Sequence, residues 1–458
     1  MLILNKKEPF FLLVGDILFF TISLWITLFI RYTRIPDQTT FLDHLAPFSI
    51  LFLFWIISFF IAGLYERKAL VQRRYLFSNI INAQIVNSIV AIIFFYFIPV
   101  FGLAPKTIIL IYLIISLIFI LLWRAYIIPS LSIKKKFNAM LIGRGEEMMK
   151  IKKEVNNNPW YNLQFTLLID LDKTPKIDFQ KDILNPVYEH KISTIVMDLK
   201  DSDLQKVIPY FYNLIFSKIK FLNIHKVYED IFDKIPLSLI KHHWFLENIN
   251  SSKRYTYSFF KRSLDILIAT PLSFISIAIC PIIWIAMRIE GKGPLFYFPK
   301  RVGKNNNVIK LIKFRTMTQT PTDGGKWGKD ENKNTRVGKF LRKWRIDELP
   351  QTINVLKGDL SLIGPRPEFT PIVKQYEKKI SHYGIRHLIK PGLSGWAQIY
   401  HTEAPHHSID VKQTETKLSY DLFYIKNQSF LIDFKIALKT IKTLSYHMKV
   451  LKYVIIFL

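Results

Sequence analysis

The chain has one cysteine, Cys280, in 458 residues. That excludes an internal disulfide and any metal site built from several thiolates, and it fits a reducing cytosolic face. Acids are scarce as well: 35 Asp and Glu stand against 63 Lys and Arg, a formal net charge of +28. So basic a chain needs an anionic partner, and nucleic acid, phospholipid and phosphorylated substrates all qualify. The first apolar run lacks a clear cleavage site, so it reads as an anchor and not as a removed signal peptide. What the chain has in quantity is apolar sequence. Half of its residues are hydrophobic, and their gathering into long runs selects the membrane.

Residues 9–30, 45–64, about 78–101 and 107–129 are each long enough to span a bilayer. Asp16 is the one charge in the first run and calls for a partner inside a helix bundle. Asn79, Asn82, Gln84 and Asn87 soften the third. Lys6, Lys7, Arg67, Lys68, Arg73, Arg74 and Lys134–Lys136 mark one side of the membrane. The other side carries only Lys106 and a mixture of Arg31, Arg34, Asp37 and Asp43. Positive charge favours the inside, so the N-terminus and everything after residue 130 face the cytoplasm. Residues 1–133 are thus expected to be a four-span helical bundle.

Residues 134–250 change character. NAMLIGRGEEM, LQFTLLID, TIVMDL and KIKFLNI read as buried strands with helical stretches between them, a cytoplasmic Rossmann-like α/β domain. Gly143 and Gly145 begin a dinucleotide fingerprint, but Met148 stands where its third small residue belongs. The domain is therefore read as structural or regulatory, and nucleotide binding is left open.

Residues 251–458 form the last domain, opening with a fifth apolar run at about 264–288 that Pro271 and Pro281 interrupt. A kinked spanning helix is one reading. It would carry the downstream acids outside, away from cytosolic nucleotides. A helix that breaks at a proline and leaves by the leaflet it entered removes the conflict.

The run 338–368, GKFLRKWRIDELPQTINVLKGDLSLIGPRPE, organises this domain. Asp347 and Glu348 are adjacent among Arg336, Lys339, Arg342, Lys343, Arg345, Lys357 and Arg366. Two acids amid so many cations point to an anionic substrate with a divalent metal, since Mg²⁺ takes one or two carboxylates and fills its shell with water and phosphate oxygens. The structural alternative makes Asp347 a helix N-cap, with Glu348 in the first turn and Pro350 just after.

This run resembles the signature of the bacterial polyprenyl-phosphate sugar-phosphate transferases, the phosphoglycosyl transferases with one membrane-embedded catalytic domain. GPLFYFPKRVGKN (293–305), KFRTM (313–317), KPGLSGWAQI (390–399) and SYDLFYIKNQSFLIDFKI (419–436) extend the likeness over roughly 258–445. The resemblance implies an α+β catalytic domain with a re-entrant helix broken at a Ser-Pro pair. Here that pair is Cys280-Pro281. It implies Asp347 as the nucleophile and Glu348 as the ligand of Mg²⁺. Arg342 and Arg366 match phosphate contacts, Lys313 and Arg315 are candidates for phosphate or lipid phosphate, and Asp421 is a substrate-site or structural acid. The substrates implied are a UDP-sugar and a membrane polyprenyl phosphate, with UMP released at the bacterial inner membrane in the first membrane step of exopolysaccharide, capsule or O-antigen synthesis. Nucleic acid has no part in that chemistry, and so much membrane surface leaves room for a homodimer.

Other features read more plainly. Asp359 organises a turn, residues 318–335 form a polar lid, and residues 431–458 an amphipathic helix with an apolar tail. His401, His406 and His407 replace the family's usual Asn-Gly-Arg-like stretch and read as exposed loop histidines. Two rival functions remain. A membrane-anchored nucleotide-sugar dehydratase or epimerase needs an intact glycine fingerprint and a Tyr-x-x-x-Lys pair, for which only Tyr257 and Lys261 offer themselves. A scaffold binding anionic lipid or nucleic acid would leave Asp347-Glu348 without a purpose.

Overall fold

A computed structural model describes residues 8–65, 73–97, 106–128, 136–158, 161–174, 177–249, 255–291, 293–317, 334–401 and 410–447. Most of the expected lid, all of His406 and His407, and the apolar tail after residue 447 lie outside them. The chain divides into two compact units, Met1–Ile231 and Phe232–Leu458. The second starts earlier than the expected boundary at 251, because Ile235, Trp244 and Phe245 are built into its core with Val302, Val373 and Leu418.

In the first unit, α1 (Glu8–Tyr32), α2 (Gln38–Ala62), α3 (Arg73–Phe97) and α4 (Lys106–Leu122) match the four expected spans. Their inner faces share an aromatic core of Phe20, Phe48, Phe52, Trp55, Phe59 and Tyr112. Phe10, Leu53, Ile92 and Leu110 point outward, as helix faces toward lipid do. Gly15 brings α1 against α4, since a β-carbon there would lie 2.0 Å from the Trp123 ring.

Asp16 has its partner. The last turn of α4 widens into a π turn over Trp123–Ile127, which carries Arg124 inward. The Arg124 guanidinium pairs with the Asp16 carboxylate, both fully buried, and Arg124 also donates to the Leu64 carbonyl at 2.7 Å. The Tyr65 hydroxyl donates to Asp16 at 2.7 Å. Two polar side chains of the third span are also used: Gln84 donates to Ser116 at 2.7 Å and accepts from the Asn87 side chain at 3.3 Å.

The α/β domain holds a four-stranded parallel sheet in the order β2-β1-β3-β4, with β1 Phe137–Gly143, β2 Leu163–Asp170, β3 Thr194–Met197 and β4 Lys220–Asn223. That is a doubly wound order whose switch point lies between β1 and β3, where ligands usually bind. Here the place is filled. Arg144, leading into α5 (Gly145–Asn157), pairs with Asp172 and Asp201 at 3.3 and 3.0 Å and with Asp203. Met148 is fully buried with its sulfur 3.4 Å from where a Gly143 β-carbon would be. The methionine that spoils the fingerprint is a packing residue.

The second unit is laid along α6, one helix from Tyr255 to Glu290. The expected break at Pro281 is absent. The side chain before each proline bonds back to the carbonyl four residues earlier, Thr270 to Ile266 at 2.8 Å and Cys280 to Ser276 at 3.1 Å. Bonding of this kind lets a helix bend without breaking. One stripe of α6, Asp265, Ala269, Ser273, Ser276, Ile283 and Met287, is buried against the domain. Leu267, Phe274, Ile277, Ile282 and Ile285 on its other faces are exposed.

Candidate active site

The site is assembled on short elements that follow α6. A two-stranded ribbon of β5 (Phe296–Tyr297) and β6 (Lys313–Phe314) presents Lys313. The next residue, Arg315, is buried against Gly293, whose φ is +152°; a β-carbon there would sit 2.2 Å from the guanidinium. Helix α7 (Arg336–Lys343) is capped by Thr335, whose hydroxyl accepts from the Gly338 amide at 2.8 Å. Gly338 lets α7 lie directly on the KFRTM backbone, as a β-carbon there would be 2.1 Å from the Thr316 oxygen. Arg342 then donates to the Thr316 hydroxyl at 2.9 Å.

After α7 the chain turns at Arg345, in the left-handed region at φ 53°, and enters a 3₁₀ turn over Ile346–Glu348. A non-glycine residue there is strained, and such strain gathers at functional sites. The turn precedes α8 (Gln351–Lys357), to which Pro350 and not Asp347 is the N-cap. Arg345 is the N-cap of the 3₁₀ turn and Asp347 lies inside it, so Asp347 caps neither element and the helix-cap alternative does not hold.

The two acids have opposite surroundings. Glu348 Oε1 accepts from Lys313 at 2.7 Å and from Arg366 at 3.2 Å, and Oε2 lies 3.5 Å from Arg345. Burial acts to raise the Glu348 carboxyl, but Arg366 and Lys313 outweigh it and hold it well below the ordinary range. Asp347 has no hydrogen bond or ion pair among the described residues. Burial first, then the charge of Glu348, pushes its carboxyl up, against Lys313, Arg342 and Arg345. Adjacent carboxylates driven apart in this way are suited to different tasks, one uncommitted and one fixed.

The donor set suits a hard cation. Among the described residues no group of three or more metal-ligating side chains exists, so a metal here relies on few protein ligands. Mg²⁺ accepts that when substrate phosphates complete its shell. Glu348 Oε2 keeps acceptor capacity beside the unbonded Asp347.

Asp421 lies away from this pair. Buried on α9 (Val411–Lys426), it pairs with Arg386 at 2.7 Å. Arg386 in turn donates to the Arg366 carbonyl at 3.0 Å and to the Tyr383 hydroxyl at 2.7 Å, and it lies 3.7 Å from Glu368. Glu368 is paired with Lys417 as well. Asp421 therefore supports the segment that carries Arg366. Neither Arg386, Glu368 nor Lys417 is singled out by the sequence; Glu368 ends a recognisable block, while Arg386 sits in a stretch with no chemical signature.

The remaining candidates settle locally. Asp359 takes a bond from the Asn354 side chain at 3.2 Å in the turn where Gly358 has φ 90°. Tyr257 and Lys261 both bond Asp433 at 2.7 Å, anchoring the start of α6 to α10 (Phe430–His447). The Tyr-x-x-x-Lys pair is thus a clasp. His401 ends a short helix, with its ring 6.4 Å from that of Tyr420.

The profile of the bacterial sugar transferase family matches residues 256–447. A UDP-glucose:undecaprenyl-phosphate glucose-1-phosphate transferase of Caulobacter vibrioides is 33% identical over 40% of this chain and 69% of its own length. The uncharacterized sugar transferase EpsL of Bacillus subtilis is 40% identical over 34% of this chain and 72% of its own. The chain belongs to the bacterial sugar transferase family. A longer match runs to a UDP-N-acetylgalactosamine-undecaprenyl-phosphate N-acetylgalactosaminephosphotransferase of Aeromonas hydrophila, 38% identical over 56% of this chain and 59% of the relative. The chain covers 39% of a related glucose-1-phosphate transferase of Escherichia coli. Asp347, Glu348, Arg366, Lys313 and Asp421 all fall inside the family segment.

Proposed function

We propose that the protein transfers a sugar 1-phosphate from a UDP-sugar to a membrane polyprenyl phosphate and releases UMP. The observation that carries this reading is the split pair: Asp347 uncommitted, Glu348 gripped by Lys313 and Arg366. The names of the relatives, which act on undecaprenyl phosphate, support the same reaction.

In the first displacement an Asp347 oxygen attacks the β-phosphorus of the donor. The bond between that phosphorus and the bridging oxygen breaks, UMP leaves with the electron pair, and the sugar phosphate remains on Asp347 as an acyl phosphate. In the second, an oxygen of the polyprenyl phosphate attacks the same phosphorus and frees the carboxylate. Splitting the transfer suits substrates that live in different phases. Attack by an anion on an anion needs charge neutralised, and Lys313, Arg342, Arg345 and Arg366 stand around the pair for that purpose. Glu348 would hold Mg²⁺, which supplies further neutralisation of the diphosphate.

Helix α6 fits a lipid acceptor. Its buried stripe lies on the catalytic domain while its outer faces are apolar, so it would sink the domain edge into one leaflet without crossing. The positive charges that flank the four preceding spans support the same reading, a site on the cytoplasmic face of the bacterial inner membrane at the first membrane step of surface-glycan assembly.

The test is UMP release by purified protein in nanodiscs with Mg²⁺, polyprenyl phosphate and a panel of UDP-sugars, with Asp347→Asn in parallel. Release with one donor, absent in the variant, establishes the reaction and names the sugar. No release from any UDP-sugar rejects the donor class.

A further inference from the structure

We propose that Arg301 binds the phosphate of the departing nucleotide, an inference that rests on the transfer reading above. Arg301 lies in the strand Lys300–Val302, next to the segment that carries Arg366. The Val302 amide donates to the Glu368 carbonyl at 2.9 Å, and Arg301 bridges to Phe369. Its guanidinium carbon sits 3.2 Å from the centre of the Phe369 ring. Stacking of this kind fixes the plane of the guanidinium before any ligand arrives.

What Arg301 lacks is an anion. Its buried Nε has no hydrogen-bond partner, and among the described residues no carboxylate pairs with it. The nearby acids are already taken, Glu368 by Lys417 and Arg386, Glu348 by Lys313 and Arg366. Burial draws the guanidinium down to about 10, against the pull of Glu368. A desolvated cation is unfavourable until an anion meets it, and a phosphate matches the two-pronged guanidinium.

The position assigns the phosphate. The Lys300–Val302 strand is bonded to Glu368 and Phe369, two and three residues past Arg366, whose guanidinium reaches Glu348 at 3.2 Å. Arg301 therefore belongs to the Arg366 side of the acidic pair. With the β-phosphorus at Asp347, the phosphate at Arg301 is the adjoining one, which leaves as UMP.

UMP affinity of the full chain in nanodiscs tests this, measured for wild type, Arg301→Met and Arg301→Lys alongside KM for polyprenyl phosphate. Methionine keeps an unbranched stem over Phe369, and a thermal melt confirms folding; lysine carries the test if methionine does not fold. The expected result is a UMP dissociation constant raised about 10- to 100-fold in Arg301→Met, the range of a charged hydrogen bond, with partial recovery in Arg301→Lys and KM for polyprenyl phosphate unchanged. Unchanged UMP affinity in Arg301→Met overturns the proposal, as does a defect confined to polyprenyl phosphate. A wild type that binds no uridine nucleotide removes the transfer reading, and the proposal with it.

Discussion

Asp347 and Glu348 are chemical neighbours with opposed environments, and the sign of each shift has a measurable consequence. The Asp347 carboxyl is raised in the fold, mainly by burial. The nucleophile proposed here must be ionised, so the expected rate falls as pH drops through that raised value. The acid limb of the pH–rate profile therefore lies above the ordinary aspartate range of about 3.9. The same shift makes ionised Asp347 a cost to folding at neutral pH. Asp347→Asn should abolish transfer and melt no lower than wild type, and a several-degree loss of Tm would contradict the electrostatics. Glu348 is the reverse case. Its lowered carboxyl adds stability that is present above the ordinary glutamate range and lost as pH falls through the folded-state value. Glu348→Gln gives that up at neutral pH and leaves Lys313 and Arg366 facing no charge, at about 2–4 kcal/mol. It should also blunt the Mg²⁺ response together with the rate; a slower enzyme with an unchanged Mg²⁺ titration would remove Glu348 from the metal.

The elements around the pair show what a sequence can and cannot reveal. The acidic pair stood out in the sequence because adjacent carboxylates crowded by Arg342, Lys343, Arg345 and Arg366 suggest an anionic ligand and a metal, while the separate roles of the two acids came from the family resemblance. Asp421 was legible only as an acid, because its partner Arg386 is far away in sequence, in a stretch without a signature. Arg301 was hidden for a similar reason: its meaning comes from Phe369 and from acids already paired, neither of which is a local pattern. The break expected in α6 did not form: the helix runs through both prolines, with Thr270 and Cys280 bonded back to the carbonyls four residues earlier. Buried Asp421–Arg386 gives a test at this scale. Removing one partner strands a buried charge, at about 3–5 kcal/mol, whereas removing both costs less than the sum. Asp421→Ala, Arg386→Met and the double variant should thus show strong coupling in urea titrations followed by tryptophan fluorescence. Strict additivity would mean the pair does not act as a unit. Both single variants should also slow turnover, because Arg386 holds the Arg366 carbonyl.

For the whole molecule the four spans were the most readable feature, since a long apolar run has one stable form in hydrocarbon. The fifth helix is different, because length and hydropathy alone make it a span. It has 36 residues, about 54 Å of helix against a hydrocarbon core of about 30 Å. Its contacts support the proposed alternative, a helix that does not cross. Tyr257 and Lys261 near its start bind Asp433, Asp265 accepts from the Leu362 amide at 3.0 Å, and Ser273 donates to Thr352 at 2.8 Å. At its end Glu290 accepts from the first amides of α7. A helix fastened at both ends and the middle to one polar domain cannot cross without taking that domain through the bilayer, where each unsatisfied polar group is costly. Both ends of α6 should therefore lie on the cytoplasmic side. In a Cys280→Ser background, which leaves no native thiol, Tyr255→Cys and Lys300→Cys place single thiols on either flank. An impermeant maleimide should label neither in intact spheroplasts and both after lysis. Labelling of one flank in intact cells would make α6 a true span, and labelling of both would place the catalytic domain outside, beyond the reach of cytosolic UDP-sugars.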